Sequence, residues 1–156
     1  MLSVSEFFTG TISEAPVASL ILPRSKNDRC GIIASFKDAP IFVILGDDHR
    51  FQAFPSADNS SHKGLIVPDV GIEVDETSIG EHDSWDTPLG SIVCAEQEIG
   101  IRIAWIGQLS RGRTLAKLAS IPPSSVEASF SRWQITRGSG ADKRILMKID
   151  AAKGSK

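Results

Sequence analysis

Between residues 30 and 107 the chain repeats one local pattern: a short apolar run rich in β-branched and aromatic residues, closed by a turn, about every ten residues. That recurrence is the mark of a β-barrel or a two-sheet sandwich. "CGIIASF" (30–36) and "PIFVILG" (40–46) are separated by Lys37, Asp38 and Ala39, which is hairpin spacing. "FQAF" (51–54) follows after a polar turn, and 55–64 is rich in Pro, Ser, Asn and Gly, the composition of a loop. In "VGIEVD" the residues Val70, Ile72 and Val74 alternate with Gly71, Glu73 and Asp75, so a strand with one wet face is expected. "LGSIVCAEQEIGIRIAWIG" (89–107) reads as two strands about a turn near Glu96 to Glu98. Ile99, Ile101, Ile103 and Trp105 fall on one face of the second, and Arg102 falls on the opposite, expectedly wet one. Earlier in the chain, "VASLILP" (17–23) reads as a strand ended by Pro23.

The last third changes character. Leu115, Leu118 and Ala119 stand at i, i+3 and i+4, and Ser124 with Glu127 has capping-box spacing, so one or two short helices are expected near 112–130. "SRWQITR" and "KRILMKI" flank "GSGAD" and predict a final hairpin, with Trp133 facing the core when Arg132 faces water. The expected fold is mainly β: one domain over residues 1–150, a barrel or sandwich of short strands, with a frayed tail at 151–156. A chain of 156 residues is long enough to bury such a core unaided.

Cys30 and Cys94 stand 64 positions apart, each in an apolar run and without a CxxC pair, so buried free thiols are expected and a thiolate zinc site is not. The N-terminus lacks a basic segment and its apolar run is broken by Glu6, unlike a secretory signal. No apolar run approaches the ~20 residues that cross a bilayer. A cytoplasmic protein with no membrane partner is the resulting expectation.

Charge is distributed unevenly. Residues 1–109 hold 16 Asp plus Glu against 7 Lys plus Arg, whereas residues 110–156 hold 3 against 10. The acidic side concentrates in a loop expected within 69–98, where Asp75, Glu76, Glu81, Asp83 and Asp86 are the candidate binding residues. Laid on a calcium-loop template, Asp75, Thr77 and Gly80 fall in place, but Ile79 occupies a position that must supply oxygen, Asp86 stands where a bidentate glutamate belongs, and the flanks look like strands. No metal or cofactor is therefore expected. His49, His62 and His82 lie at strand ends or in loops with Asp47, Asp48, Glu81 and Asp83 nearby in sequence, the material for a metal-dependent enzyme, yet no HExxH, HxH or GxSxG spacing occurs. No catalytic residue is assigned. "RGSGADKR" (137–144) has glycines suited to an anion nest, but no GK[ST] follows.

The basic third offers Arg111, Arg113, Lys117, Arg132, Arg137, Lys143 and Arg144 as a candidate binding surface. Two readings compete. The acidic and basic blocks answer one another within the fold or across an oligomer, in a non-catalytic protein–protein interaction or self-associating module. Alternatively, the basic surface of a β-barrel binds nucleic acid. A metal-dependent enzyme is the third reading. The expected partner is another protein or a second copy of the chain, with nucleic acid as the competitor.

Overall fold

The computed structural model describes residues 2–26, 28–36, 38–80, 87–95, 98–105, 113–117 and 127–153, and for Asn59, Ala95, Glu98, Ala104, Trp105 and 113–117 only the backbone path. The chain is mainly β. Strands β1 (Phe8–Thr11), β2 (Leu20–Leu22), β3 (Gly31–Phe36), β4 (Ala39–Ile44), β5 (Gln52–Pro55) and β6 (Lys63–Val67) make up the first half. They are followed by β7 (Gly71–Val74), β8 (Ile79–Gly80), β9 (Ile92–Ala95), β10 (Glu98–Trp105) and β11 (Arg113–Lys117). β12 (Ala128–Phe130), β13 (Arg132–Arg137) and β14 (Arg144–Asp150) complete the set. Eleven strands join one sheet in the order β1-β6-β2-β3-β4-β5-β10-β9-β12-β8, with β11 beside β10, and the other three form β14-β13-β7. Pairing is antiparallel except for β5 and β10. The large sheet curls until β11 meets β3 at a single pair, Lys117 with Ser35.

The two apolar runs of the first hairpin are continuous because both of their faces are buried. Ile32, Ala34, Ile41 and Val43 enter the main core, and Ile33, Phe42 and Ile44 enter a second cluster on the opposite side. A strand buried on both faces loses the polar alternation of a half-wet one. The turn is tight, with Phe36 opposite Ala39 and Asp38 in the left-handed region at φ 63°. The three-stranded sheet closes the main core from the far side: Trp133 and Ile135 point inward, 3% and 0% exposed, joined by Ile149. The Trp133 indole N–H donates to the Gly90 carbonyl at 2.8 Å, which removes the penalty of burying that polar group.

Four expectations need correction. Arg102 is not wet: it is 2% exposed, in a strand whose other face buries Ile101 and Ile103 at 4% and 0%. Val93, fully buried, shares the Arg102 face by register, so β10 is covered on both sides. Ile99, placed with the inward isoleucines, is 47% exposed near the strand's start. Residues 113–117 form a strand against β10 and not a helix; the spacing of Leu115 and Leu118 imitates a helical face, but the pairing from Gly100–Lys117 to Ala104–Arg113 decides the local conformation. Residues 118–126 of the expected helical region lie outside the described residues. Finally, the tail is held at its start: Ala151 is fully buried, its N–H donates to Ser131 O at 2.7 Å, and the Arg50 guanidinium donates to Lys153 O.

Among the described residues no helix is long and apolar enough to cross a membrane.

Candidate functional site

The 69–98 segment is not one loop. It contains β7, β8 and β9, and of its described acidic residues Glu73 lies on β7 while Asp75 and Glu76 lie in the turn that follows. Gln134 on β13 lies in register with Glu73 on one side and Lys148 on the other, and Arg132 lies opposite Asp150. With Asp75 beside Arg132, the outer face of the small sheet becomes a lattice of alternating charge. The same face lines an open concavity of about 860 Å³, bounded by Glu73, Asp75, Glu76, Arg132, Gln134 and Lys148 among others.

Arg132 is the hub. Its Nε–H donates to Asp75 Oδ2 and its Nη2–H to Thr77 Oγ1, each at 2.9 Å. Its backbone is tied to the same turn, since Asp75 N–H donates to Arg132 O at 2.9 Å and Arg132 N–H donates to Ser78 Oγ at 3.0 Å. Asp75 Oδ1 is occupied by the Thr77 hydroxyl at 2.6 Å and the Thr77 N–H at 2.9 Å, the bonds of an Asx-type cap on the short 3-10 turn Glu76–Ser78. These donors, the Thr77 hydroxyl first and Arg132 next, hold the Asp75 carboxyl down to about 2. A carboxylate whose two oxygens are both engaged in this way caps a turn; it is not presented to a calcium ion.

Lys143 and Glu73 repeat the arrangement one row along. The Lys143 ammonium donates to Glu73 Oε2 at 2.6 Å and the Gln134 amide to Glu73 Oε1 at 2.9 Å, which together lower the Glu73 carboxyl, Lys143 contributing most. Arg137 and Arg144 turn to the N-terminal segment. Both reach Glu6, Arg137 Nη1 at 3.7 Å and Arg144 Nη2 through a close hydrogen bond, and Arg137 Nε–H also donates to Pro68 O at 2.9 Å. The Arg144 bond is the chief reason the Glu6 carboxyl is lowered.

The structure thus brings Arg132 to Asp75 and sets Glu76 on the rim of the same concavity. Arg111, Glu81, Asp83 and Asp86 lie outside the described residues, and the side chains of Arg113 and Lys117 on β11 do as well. Thr77 and Lys148, which the sequence places in the calcium-loop template and the basic cluster, and Glu6, Glu73 and Gln134, which it does not mark as binding residues, belong to the same charged surface. In the turn at 138–142 the Asp142 N–H bonds to Ser139 O at 3.1 Å and the Lys143 N–H to Gly140 O at 3.2 Å. His49 and His62 are exposed on separate turns, His82 lies outside the described residues, and among the described residues no group of three or more His, Cys, Asp or Glu is placed to hold a metal ion. Burial pushes the Cys30 thiol up to about 11 and raises that of Cys94, the opposite of an activated nucleophile.

A family model described as "Uncharacterised protein y4lG" matches residues 9–156. The chain belongs to that family. The y4lG protein of Sinorhizobium fredii (strain NBRC 101917 / NGR234) is 40% identical over 162 aligned positions, which cover 99% of this chain and 99% of that relative. The y4lG likeness therefore spans both sheets and the charged outer face of the smaller one. No solved structure matches the chain.

Proposed function

We propose that this y4lG-family chain is a non-catalytic protein–protein interaction module, able to self-associate, whose contact face is the charged concavity of the β7–β13–β14 sheet. The observation that supports it is the internal pairing of four cations of the basic third. Arg132 answers Asp75, Lys143 answers Glu73, and Arg137 and Arg144 share Glu6. A duplex or single strand would have to compete with those carboxylates for each cation, and it would meet Glu73, Asp75, Glu76 and Asp150 on the same face. A protein surface carries both signs and can match an alternating lattice, with specificity and register as the gain. The sheet's free border suits contact through this face more than strand addition: β14 has a bulge where Ile135–Met147 gives way to Thr136–Ile145, and Lys148 stands exposed on it, both features that blunt an edge.

The test is sedimentation velocity over about 1 to about 100 μM, the range where a modest interface becomes populated. The reading expects a monomer–dimer shift that Lys148→Glu weakens. A strict monomer throughout would remove self-association and leave only a different protein as partner. Retention on an oligonucleotide column would count against the proposal as a whole.

A further inference from the structure

A second concavity, of about 490 Å³, opens on the opposite side of the large sheet from the main core. Its floor is apolar: Phe42 and Ile44 from β4, Phe54 from β5, and Ile12 from the 3-10 turn Ile12–Glu14. Ile12, Phe42 and Ile44 belong to the smaller hydrophobic cluster, and Phe54 packs against it only half-buried. No further sheet covers this cluster among the described residues. Its covering comes from short turns, Ile12–Glu14 and Ser56–Asn59, which leave Phe54 half-buried in the cleft above the buried Ile12, Phe42 and Ile44.

The rim is charged and the charges are not balanced. Asp28 is already taken by Arg24, whose backbone N–H donates to Asp28 Oδ2 at 2.9 Å and whose Nε lies 3.3 Å from the same oxygen. Arg29, His62 and Lys63 also line the rim. Among the described residues none of their side chains makes a hydrogen bond or ion pair, although Lys63 is near enough to help lower the Glu14 carboxyl. Asp58 is the one remaining carboxylate on the rim. Arg29, Lys63 and the His62 imidazole thus share the rim with Asp58 around an apolar floor.

We infer that this cleft binds a small organic carboxylate with an apolar body. The volume is that of a small-molecule site, and an apolar lining with a few polar groups at the mouth is how such sites are built. The head group would lie with Arg29 and Lys63, where a guanidinium can engage a carboxylate through two parallel hydrogen bonds. The body would lie against Phe54, the half-buried ring of the cleft, with the buried Phe42 beneath.

The experiment is a titration of the full chain, followed by amide chemical shifts, with 2-naphthoate and with decanoate, one aromatic and one aliphatic acid. Their neutral counterparts, 2-naphthalenemethanol and decanol, serve as controls. Saturable binding of either acid, with shifts at Phe42, Phe54 and Lys63, supports the inference and reports which body is preferred. The matching alcohol should bind about tenfold more weakly, the factor that one well-made charged contact supplies. Arg29→Gln and Lys63→Gln, both exposed and tolerable to the fold, should each weaken the acid several-fold and leave the alcohol unchanged. The inference is overturned if neither acid binds at millimolar concentration, if acid and alcohol bind alike, or if both glutamine variants bind the acid as the parent does.

Discussion

Gly90 sits where three parts of the molecule touch, and replacing it by alanine tests the packing of the main core. It adopts φ +90°, a region that a side chain strains, and a Cβ there would lie 2.2 to 2.4 Å from three carbons of the Phe51 ring. The ring cannot readily move away. Phe51 is 1% exposed, is itself held at φ 69°, donates its N–H to Ile44 O at 2.5 Å, and has the Arg50 guanidinium 4.8 Å from its centre. The Gly90 carbonyl is meanwhile the acceptor for Trp133. Left-handed backbone costs an L-residue about 1–2 kcal/mol, and forcing a methyl into a filled core costs about 1–3 kcal/mol more. Gly90→Ala should therefore destabilise by about 2–5 kcal/mol, a large share of the margin of a domain of this size. Gly140→Ala supplies the control, because Gly140 has φ +57° but no atom within 4 Å of the added Cβ, so it carries the backbone cost alone. Urea unfolding of both variants at constant m-value reads the difference. Should Gly90→Ala prove no more harmful than Gly140→Ala, the close approach of Phe51 to the glycine is wrong.

Further outcomes follow from burial and charge. Ile101→Ala should cost about 2–5 kcal/mol in the same assay. Arg102→Ala should cost more than about 1 kcal/mol, since its side chain is buried, whereas a wet arginine would lose little. Cys30 should resist iodoacetamide near neutral pH in the native state and react once urea unfolds the chain, followed by mass spectrometry; native labelling as fast as that of a free thiol would contradict its burial. The Asp75 carboxyl is depressed in the fold from an ordinary 3.8 to about 2. Its contribution to stability is thus fully present above 3.8 and is lost as pH falls toward 2, because protonation removes the acceptor of Thr77 and Arg132. Asp75→Asn should make acid unfolding over that window less steep, and an unaltered slope would show that the carboxylate is not held.

Much of the architecture was legible because local signals agreed with it. The Gly31–Phe36 and Ala39–Ile44 hairpin, the alternation in β7 and the Arg132–Asp150 hairpin each have the residues and turns that their strands need. Where the reading failed, a pattern of a few residues was outweighed by distant partners. Arg102 interrupts a row of isoleucines and so looks wet, yet strands on both sides and cover on both faces bury it. Leu115 and Leu118 mimic a helix, while β10 dictates a strand. The opposition of acidic and basic blocks was visible in sequence, but its pairing was not: Asp75 and Arg132 are 57 residues apart, and Glu6 and Arg144 are 138 apart. A single glutamate in an apolar N-terminal run gives no hint of that contact. The rim of the smaller cleft was equally hidden, since Arg29 precedes β3 and Lys63 begins β6, and both line the cleft only once the sheet has formed.

The proposed role depends on Arg132, Arg137, Lys143 and Arg144 being neutralised from within. Fluorescence anisotropy of a labelled oligonucleotide, titrated with the protein at about 50 mM salt where phosphate contacts are strongest, measures this directly. The internal pairs predict no binding by the parent chain, and a gain of weak, salt-sensitive binding when Glu6, Glu73 and Asp75 are changed together to Gln, Gln and Asn. Tight binding by the parent that weakens steeply with added salt, and that Arg132→Ala reduces, would contradict the account.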